Sequence, residues 1–532
     1  MHNNNGHISK TEAAQWLARL VRFGEAKGLI EEEDRIPVTN ALLDLLQIEE
    51  PCDGDLDTLF PPEEDLAGDS PMPLLNPLLD YAAGQGLLSD NTVTYRDLLD
   101  ARMMGLLMPR QSEITREFSR LLEQKGPEAA THWFYSLSKH SNYIRMDRIR
   151  QNEYWQASTD YGDLEITINL SKPEKDPKQI ALERSMPQSR YPKCLLCAEN
   201  VGYAGRVNHP ARQNHRIIPV KLAGQSWFFQ YSPYVYYNEH CIILSGQHVP
   251  MKLTKDTFIR LAEFTEQFPH YFIGSNADLP IVGGSILSHD HFQGGRHRFA
   301  MEVAAREEEF VHPRYPGIRA AIVKWPMSVI RISGPNSGEL TDLAYTLLEV
   351  WRGYSDESAD ILAFSREEDG TLTPHNTITP IARRNAQGEW EFDLVLRNNR
   401  TSPEHPLGIF HPHRELHHIK KENIGLIEVM GLAVLPGRLQ QELRMISGIL
   451  SGQAPVAEWP EGHPLQPHQA WIRQLAQEHG TRMSEAEAAA VLRQEVGRKY
   501  MQVLEDAGVF KRNSAGKDAF RSFMFHAGFV LR

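Results

Sequence analysis

The hydrophobic period of the chain changes near residue 160, and this change constrains the fold more than any other feature. Before it the spacing is helical, with a capping box at Ser9–Glu12 followed by apolar residues three and four positions apart. After it, "LEITINL" (Leu164–Leu170) alternates apolar and polar residues, and "HCIILSG" is a short apolar run. A helical pattern over Thr254–Phe268 follows. The sequence therefore predicts an α+β fold centred on an antiparallel sheet, with a helical N-terminal region.

A second set of strand signals follows residue 300. The predicted strands are "SVIRISG" (Ser328–Gly334), "EFDLVLRNN" (Glu391–Asn399) and "NIGLIEVMGLAVLPG" (Asn423–Gly437). A second capping box, at Ser484–Glu487, opens a helical C-terminal part. We expect three regions, which are a mostly helical one (1–155), a first sheet domain (156–305) and a second sheet domain with C-terminal helices (306–532).

The charge of the chain narrows its partners. With 532 residues and 41% hydrophobic composition it can bury a large core, while a formal net charge of −13 argues against a nucleic-acid groove or an anionic membrane surface. A local cluster of Arg, Lys and backbone N–H groups can still bind an anionic small molecule. The start lacks the apolar core of a signal peptide, and no run approaches the roughly 18 apolar residues of a membrane span. These features predict a cytoplasmic protein.

The stretch Asp278–Gly295, "DLPIVGGSILSHDHFQGG", combines groups suited to phosphoryl transfer. In a β-strand, His289, His291 and Gln293 would share one face. Neutral imidazole can attack phosphorus without a neighbouring base, glutamine can donate a hydrogen bond to phosphoryl oxygens, and glycines allow a phosphate to approach the backbone closely. The alternative interpretation is that these are strand histidines that are only hydrogen-bonded or that bind a metal.

A cysteine pair forms the second candidate site. Four cysteines in so long a chain do not make a disulfide framework. The pair in "CLLC", Cys194 and Cys197, is open to a redox role, to structural zinc or to chance. Tetrahedral zinc needs two further ligands, for which His248 and His289 are candidates. Their wide spacing suits ligands from separate strands of one sheet rather than a compact zinc finger.

Two further clusters have an undecided role. The segment His405–His418, "HPLGIFHPHRELHH", holds five histidines that either bind a metal or belong to a surface or packing feature. The segment Ser141–Trp155 interleaves Arg145, Arg148 and Arg150 with aromatic residues. It is interpreted either as a phosphate clamp or as a solvated helix end.

Several of these segments resemble one enzyme family. "DLPIVGGSILSHDHFQGG" resembles, over its whole length, the active-site signature of the second family of galactose-1-phosphate (hexose-1-phosphate) uridylyltransferases. The segments "TINLSKPEKDP", "CLLCAENVGYAGR", "NEHCIILSGQHVPM" and "IFHPH" also resemble that family, so the resemblance spans roughly residues 140–440. A helical N-terminal region is consistent with this longer, second family.

The resemblance implies a ping-pong exchange in the Leloir pathway. UDP-glucose and galactose 1-phosphate would give glucose 1-phosphate and UDP-galactose. His291 falls on the position of the uridylylated nucleophile, and Gln293 on that of the glutamine that steadies the phosphoryl group.

The same resemblance implies ligands. Zinc would be bound by Cys194, Cys197, His248 and His289, with no organic cofactor. The substrate, at its uridine and phosphate groups, would be bordered by Asn200, Asn276, Asp278, Gly283, Gly284 and Ser285.

The implied fold is of the histidine-triad kind, with antiparallel sheets flanked by helices, two related halves and the catalytic domain at 156–305. Implied partners are UDP-glucose, UDP-galactose and hexose 1-phosphates, without nucleic acid or membrane, and a homodimer is one assembly open to the chain. The preferred sugar is not implied, because "GLIEVMGLAVLPGR" departs from the sugar-contacting segment of the first family. The alternatives are another nucleotidyltransferase or a dinucleoside polyphosphate phosphorylase of the same superfamily, and a non-catalytic, zinc-stabilised nucleotide-binding protein.

Overall fold

A computed structural model describes residues 8–54, 68–171, 189–284 and 286–532. Its α-helices are α1 (Lys10–Ala26), α2 (Arg35–Leu46), α3 (Met72–Gly84), α4 (Val93–Leu106), α5 (Gln111–Lys125), α6 (Pro127–His140), α7 (Met146–Ile149), α8 (Lys255–Gln267), α9 (Ala300–Val303), α10 (Ser337–Gly353), α11 (Leu426–Val429), α12 (Arg438–Leu450), α13 (Gln469–His479), α14 (Glu485–Ala507) and α15 (Ser514–His526). None of the described helices is both long and apolar enough to cross a membrane.

The strands of these residues follow in chain order. They are β1 (Glu153–Thr159), β2 (Gly162–Asn169), β3 (Ile218–Leu222), β4 (Gln225–Tyr231), β5 (Cys241–Ser245), β6 (Phe272–Gly274), β7 (His291–Gly295), β8 (Arg306–His312), β9 (Tyr315–Val323), β10 (Val329–Gly334), β11 (Phe364–Arg366), β12 (Leu372–Pro374), β13 (Asn376–Arg384), β14 (Trp390–Asn398), β15 (Leu432–Pro436) and β16 (Val530–Leu531).

Two compact units divide the chain. The first unit comprises Met1–Gln151, Ser171–Val235 and Glu239–Val249, and the second comprises Asn152–Leu170, Tyr236–Asn238 and Pro250–Arg532. The division expected at residues 155 and 305 stays a prediction.

The first unit combines helices α1–α7 with the antiparallel strands β3, β4 and β5. Helix α1 begins where the sequence predicts, because the Ser9 hydroxyl accepts the Glu12 N–H at 3.2 Å and the Glu12 carboxylate accepts the Ser9 N–H at 2.8 Å. Aromatic rings join the helices to the strands. Phe134 of α6 makes edge contacts with Phe118 of α5 at 6.1 Å and with Phe229 of β4 at 5.7 Å.

The second unit is built on an antiparallel sheet with strand order β16-β8-β9-β10-β14-β13-β6-β7. Helices α8 and α10 pack against β13 on one face of this sheet. A smaller sheet, β1-β2-β15, pairs β15 parallel to β2 and contributes to a large apolar core. This arrangement confirms the predicted α+β fold of antiparallel sheets flanked by helices. The relation of two halves by common ancestry stays a prediction.

Two strand predictions need correction. The first covered Asp278–Gly295, but β7 begins only at His291. The described residues before it form a loop, in which Gly283 is packed so tightly that an added Cβ would lie 2.6 Å from the carbonyl oxygen of Ala277. His289 therefore precedes the strand that was expected to carry it.

The second correction concerns Asn423–Gly437. In place of one strand, this segment forms the short helix α11 and then β15. Glu428 accepts the Gly425 N–H at 3.1 Å at the start of the helix, and Gly431 follows the helix with a φ of 106°, which favours glycine. Local capping therefore overrides the strand propensity of the apolar run.

Candidate active site

His291 opens strand β7 and is buried. Its Nδ1 lies 2.8 Å from the carbonyl oxygen of His289. Because a carbonyl can only accept, Nδ1 carries the proton and Nε2 keeps its lone pair. Burial lowers the pKa of His291 to about 4, so the ring is neutral at pH 7. The result is a neutral imidazole with a fixed orientation and one nucleophilic nitrogen.

The sheet register defines the face on which His291 lies. Gln293 is paired with Gly274, Gly274 with Ile381, and Ile381 with Asp393. Directly opposed residues share a face of an antiparallel sheet, and so do residues two apart along a strand. His291, Gln293, Ile381 and Asp393 therefore lie on one face, which we call the His291 face.

The residues that alternate with them point to the other face. Phe292 is buried at 1% exposure, and Asp290 lies 3.9 Å from the guanidinium of Arg260 on α8. Burial raises the pKa of Asp290 to about 6, with Arg260 acting in the opposite direction. The alternation expected for Asp290 to Gln293 is thus present.

The loop before β7 is held by side chains that were predicted to contact substrate. Asn276 accepts the Leu426 N–H at 2.9 Å, and a Cβ on Gly284 would lie 2.5 Å from the amide nitrogen of Asn276. The structure therefore places Asn276, Gly283 and Gly284 in one tightly packed turn. Ser285 lies outside the described residues.

Asp278 is engaged in the same loop. It accepts hydrogen bonds from the Thr377 hydroxyl at 2.6 Å, the Leu253 N–H at 3.0 Å and the Arg352 guanidinium at 3.3 Å. Three donors for one carboxylate fix the loop to neighbouring elements of the second unit. Asp278 thus has a positioning role that spacing alone did not predict.

The first unit holds a cysteine–histidine cluster that could bind a metal. The Sγ atoms of Cys194 and Cys197 are 3.5 Å apart, and Cys197 Sγ lies 3.2 Å from His248 Nδ1. Tetrahedral zinc with Zn–S bonds of 2.3 Å would hold two sulfurs about 3.7 Å apart, which is close to this spacing. Burial raises the pKa of Cys197 to about 11, so without a metal this thiol is a poor nucleophile. The donor set fits zinc better than it fits redox chemistry.

Asn200 braces the cysteine turn. Its amide nitrogen donates to the carbonyl oxygens of Cys194 and Cys197, both at 2.8 Å, and its amide oxygen accepts from His209 Nε2 at 2.7 Å. Such support orients metal ligands. The structure brings Asn200 to the cysteine pair, an association that its sequence position, three residues after Cys197, could have suggested.

Sequence reasoning missed Arg397, in β14. By the register it lies on the His291 face, four residues from Asp393. It is 1% exposed, its NH1 donates to the Thr379 hydroxyl at 3.3 Å, and its Nε has no hydrogen-bond partner among the described residues. No carboxylate of the described part of the chain lies within 4.0 Å of it. Glu428 attracts it from beyond that distance, so Arg397 is a buried cation without a direct ion pair, which is costly and therefore informative.

The arginines of the segment Ser141–Trp155 contact carboxylates. Arg145 pairs with Asp100 at 2.7 Å and Arg148 with Asp97 at 2.5 Å, so these arginines form ion pairs within the first unit. Neither the phosphate clamp nor the solvated helix end describes them.

In the histidine-rich segment, His405 stacks on His413 at 4.1 Å and His418 hydrogen-bonds to His468 at 2.8 Å. His413, Glu415 and Asp506 form a second group that could hold a metal. The packing interpretation thus describes His405 and His418, and His413 is the histidine of this segment that belongs to a possible metal-binding group.

Comparison with known proteins places this geometry in a family. Residues 29–250 match the N-terminal domain of galactose-1-phosphate uridyl transferase, and residues 263–447 match its C-terminal domain. The galactose-1-phosphate uridylyltransferase of Caldanaerobacter subterraneus subsp. tengcongensis is 62% identical over 98% of this chain and 99% of its own. That of Halalkalibacterium halodurans is 54% identical over 97% of this chain and 99% of its own.

Among solved structures, a yeast Ap4A phosphorylase aligns with 68% of this chain and 98% of its own, at 11% identity and a TM-score of 0.30, which is too slight a likeness to support an argument. The two domain matches and the full-length relatives decide the assignment. This chain belongs to the galactose-1-phosphate uridyl transferase family.

Proposed function

We propose that this chain transfers UMP from UDP-glucose to galactose 1-phosphate through a uridylyl group held on His291. The observation that carries the proposal is the buried, neutral imidazole of His291, whose Nδ1–H is bonded to the His289 carbonyl and whose Nε2 is therefore the reactive atom. The names of the full-length relatives support the same reaction. The chain would act in galactose metabolism.

In the first half-reaction, Nε2 forms a bond to the α-phosphorus of UDP-glucose. The bond from that phosphorus to the bridging oxygen breaks, and glucose 1-phosphate leaves with the bonding electrons. Nδ1 keeps its proton, so the uridylylated ring is cationic, and the carbonyl of His289 at 2.8 Å stabilises that charge. In the second half-reaction a phosphate oxygen of galactose 1-phosphate attacks the same phosphorus, and Nε2 regains its lone pair.

Two groups on the His291 face assist. Gln293, two residues along β7, would donate an uncharged hydrogen bond to the phosphoryl oxygens as charge develops there. Arg397 would supply the positive charge that binds the phosphate on the sugar side. Its burial without a direct ion pair supports this role, because an anionic substrate would compensate the charge.

The loop residues form the proposed border of the substrate site. Gly283 and Gly284 are proposed to border the phosphates, and the tight packing around them leaves room for glycine only, which holds the loop backbone in one position. Asn276, Asp278, Ser285 and Asn200 are proposed to lie near the uridine and the phosphates, in addition to the positioning bonds described above.

Zinc is proposed as a structural metal. Cys194, Cys197 and His248 would bind it, with His289 as the fourth ligand that the sequence resemblance implies. When bound, zinc supplies rigidity and keeps both thiols deprotonated. Asn200 would then hold the two cysteine carbonyls in place.

The setting of the enzyme is also proposed. None of the four cysteines forms a disulfide in the described part of the chain, which suits the reducing cytoplasm. The proposed catalytic region is 156–305, between a helical region at 1–155 and a second sheet region at 306–532. A homodimer is the proposed assembly, and sedimentation of the purified chain tests it.

The reaction is tested with purified protein, UDP-glucose and galactose 1-phosphate. We expect UDP-galactose and glucose 1-phosphate in equal amounts. A dinucleoside polyphosphate phosphorylase would instead release a nucleoside diphosphate from a dinucleotide and inorganic phosphate, and a binding protein would form no product. Either of these outcomes contradicts the proposal.

A further inference from the structure

A cavity of about 290 Å³ lies at the far end of strand β7 from His291. It is lined by residues just after β7 and at the end of β13, including Arg296, His297, Arg298, Arg383 and Arg384. His291 is the first residue of β7 and Arg296 follows its last, so the two are five residues, or about 16 Å, apart along the strand. This cavity is therefore separate from the proposed reaction site.

The lining of the cavity is strongly basic. Four arginines and one carboxylate, Glu302, line it, in a chain whose formal net charge is −13. One of the four, Arg383, is paired with carboxylates behind the lining, so the excess of positive charge comes from the other three. Glu302 lies 3.6 Å from Arg298 and also attracts Arg383. A local excess of positive charge on an acidic protein marks a place where an anion is favoured.

Two of the guanidinium groups are held rigidly. Arg384 lies 3.4 Å over the ring of Trp390 and donates to the carbonyl oxygen of Gly388 at 2.9 Å. Arg383 is 5% exposed and donates through NH2 to Glu391 at 2.7 Å and to Asp393 at 2.8 Å. Donors fixed in this way lose little conformational entropy when a ligand binds.

Arg383 has a further property that points to a ligand. Its Nε is buried and has no hydrogen-bond partner among the described residues. An unsatisfied buried donor costs free energy, and an oxyanion in the adjoining cavity would satisfy it. His297, on the same wall, is fixed by its Nε2 bond to Glu165 at 2.9 Å.

We propose that this cavity binds the phosphate group of a small phosphorylated metabolite, at a site distinct from the one where UMP is transferred. The arginine forks match phosphate oxygens in geometry and charge. The cavity volume lies at the lower limit for ligand sites, so it suits a compact phosphate ester or inorganic phosphate rather than a dinucleotide. The proposal does not depend on the identity of the transferase substrates.

Charge reversal at Arg298 tests the proposal without disturbing the core, because its side chain is 75% exposed. Arg444→Glu is the matched control, since Arg444 is 71% exposed, lies outside the cavity and has a similarly loose ion pair, 3.5 Å from Glu153. Calorimetric titration of the full chain with inorganic phosphate, at fixed ionic strength, gives the affinity of each variant. We expect Arg298→Glu to weaken phosphate binding by roughly tenfold or more and Arg444→Glu to change it little.

Turnover of UDP-glucose with galactose 1-phosphate is measured on the same samples at low phosphate. We expect Arg298→Glu to retain turnover within about threefold of the control variant, because the cavity is remote from His291. Equal phosphate affinity in the two variants would overturn the proposal. Loss of turnover in parallel with phosphate binding would also overturn it, because the cations would then belong to the reaction site.

Discussion

The two ends of strand β7 differ in charge, and the difference separates chemistry from binding. At the first end, His291 is buried and neutral, with a fixed lone pair. Beyond the last residue, Arg296 and Arg298 are exposed and line a basic cavity. A group that forms a bond to phosphorus needs an available lone pair, whereas a group that holds a phosphate needs charge. Burial keeps the lone pair of His291 available, and the guanidinium groups of the cavity provide positive charge.

Replacing His291 by glycine should remove the function of the neutral end. We expect turnover of UDP-glucose with galactose 1-phosphate to fall below detection, because no other group on that face takes over the uridylyl moiety. Phosphate binding at the basic end should persist. A turnover rate above about one thousandth of the wild-type rate would contradict the role of His291, since loss of a covalent nucleophile is expected to lower the rate by more than a thousandfold.

Gln293→Ala tests whether Gln293, which lies near His291 on β7, donates to the phosphoryl group. Loss of one preorganised donor is expected to slow both half-reactions by roughly 10²–10³, while the covalent intermediate still forms. Rapid-quench measurement of intermediate formation and decay checks this. Gln440→Ala is the control, because Gln440 lies on α12 and its amide donates to Glu153 at 2.8 Å, outside β7. An unchanged rate of intermediate formation would show that Gln293 contacts no developing charge.

Arg397→Met tests whether charge also matters near the neutral end. We expect KM for galactose 1-phosphate to rise by roughly 10–100-fold, since a hydrogen bond to a charged group contributes about 1.5–3 kcal/mol. Folding stability should change little, because a buried cation without a direct ion pair is replaced by an apolar side chain of similar length and only the longer-range attraction to Glu428 is lost. Arg331→Met is the contrast. Arg331 is neutralised by Asp393 at 2.7 Å, and its loss should destabilise folding by about 3–5 kcal/mol.

Cys194→Ser tests the proposed zinc site, to which we assign a structural role. The wild-type chain should contain about one zinc per chain, and the variant should lose both zinc and several degrees of melting temperature. Cys241→Ser is the control, because Cys241 is a buried cysteine of β5 outside the cluster. Fully active wild-type protein that is free of metal would contradict a required zinc site.

The pH dependence of stability gives the smallest effect. The pKa of His291 is about 4 in the folded chain, below the value of about 6.5 expected when unfolded, so the unfolded state binds more protons between these values. Above pH 6.5 His291 is neutral in both states and does not change the free energy of unfolding. As the pH drops from 6.5 toward 4, protonation of the unfolded state lowers the free energy of unfolding. At pH 5 His291 lowers the free energy of unfolding by about 2 kcal/mol. Urea titrations at a series of pH values give the free energy of unfolding of wild type and His291→Asn. Between pH 6.5 and 4 this free energy should fall less steeply in the variant, and an identical fall in both proteins would mean that His291 is not held neutral.

Sequence reasoning succeeded where local chemistry decides the outcome. The capping boxes at Ser9 and Ser484 start α1 and α14, and the helix expected over Thr254–Phe268 is α8. The approach of His248 to Cys197 followed from the chemistry that zinc requires. These features depend on hydrogen bonds within one turn or on ligand types that the sequence displays directly.

The remaining features depend on distant partners. The family resemblance assigned Asp278 to the substrate. Its bonds to Thr377 and Arg352, which are 99 and 74 residues away in sequence, could not be read from the sequence. That Arg397 has no direct ion pair among the described residues is visible only once the positions of the buried carboxylates are known. A single sequence does not contain such pairings, because they arise from the register of β13 and β14.

The most direct test of the central claim is isotope exchange without any second sugar phosphate. Purified protein is incubated with UDP-glucose and labelled glucose 1-phosphate, and the label in UDP-glucose is followed. The covalent mechanism predicts exchange, with a uridylyl group on the peptide that contains His291 and none after His291→Gly. Exchange that requires galactose 1-phosphate, or a uridylyl group carried by His289 while His291→Gly still accepts it, would contradict the assignment of His291 as the nucleophile.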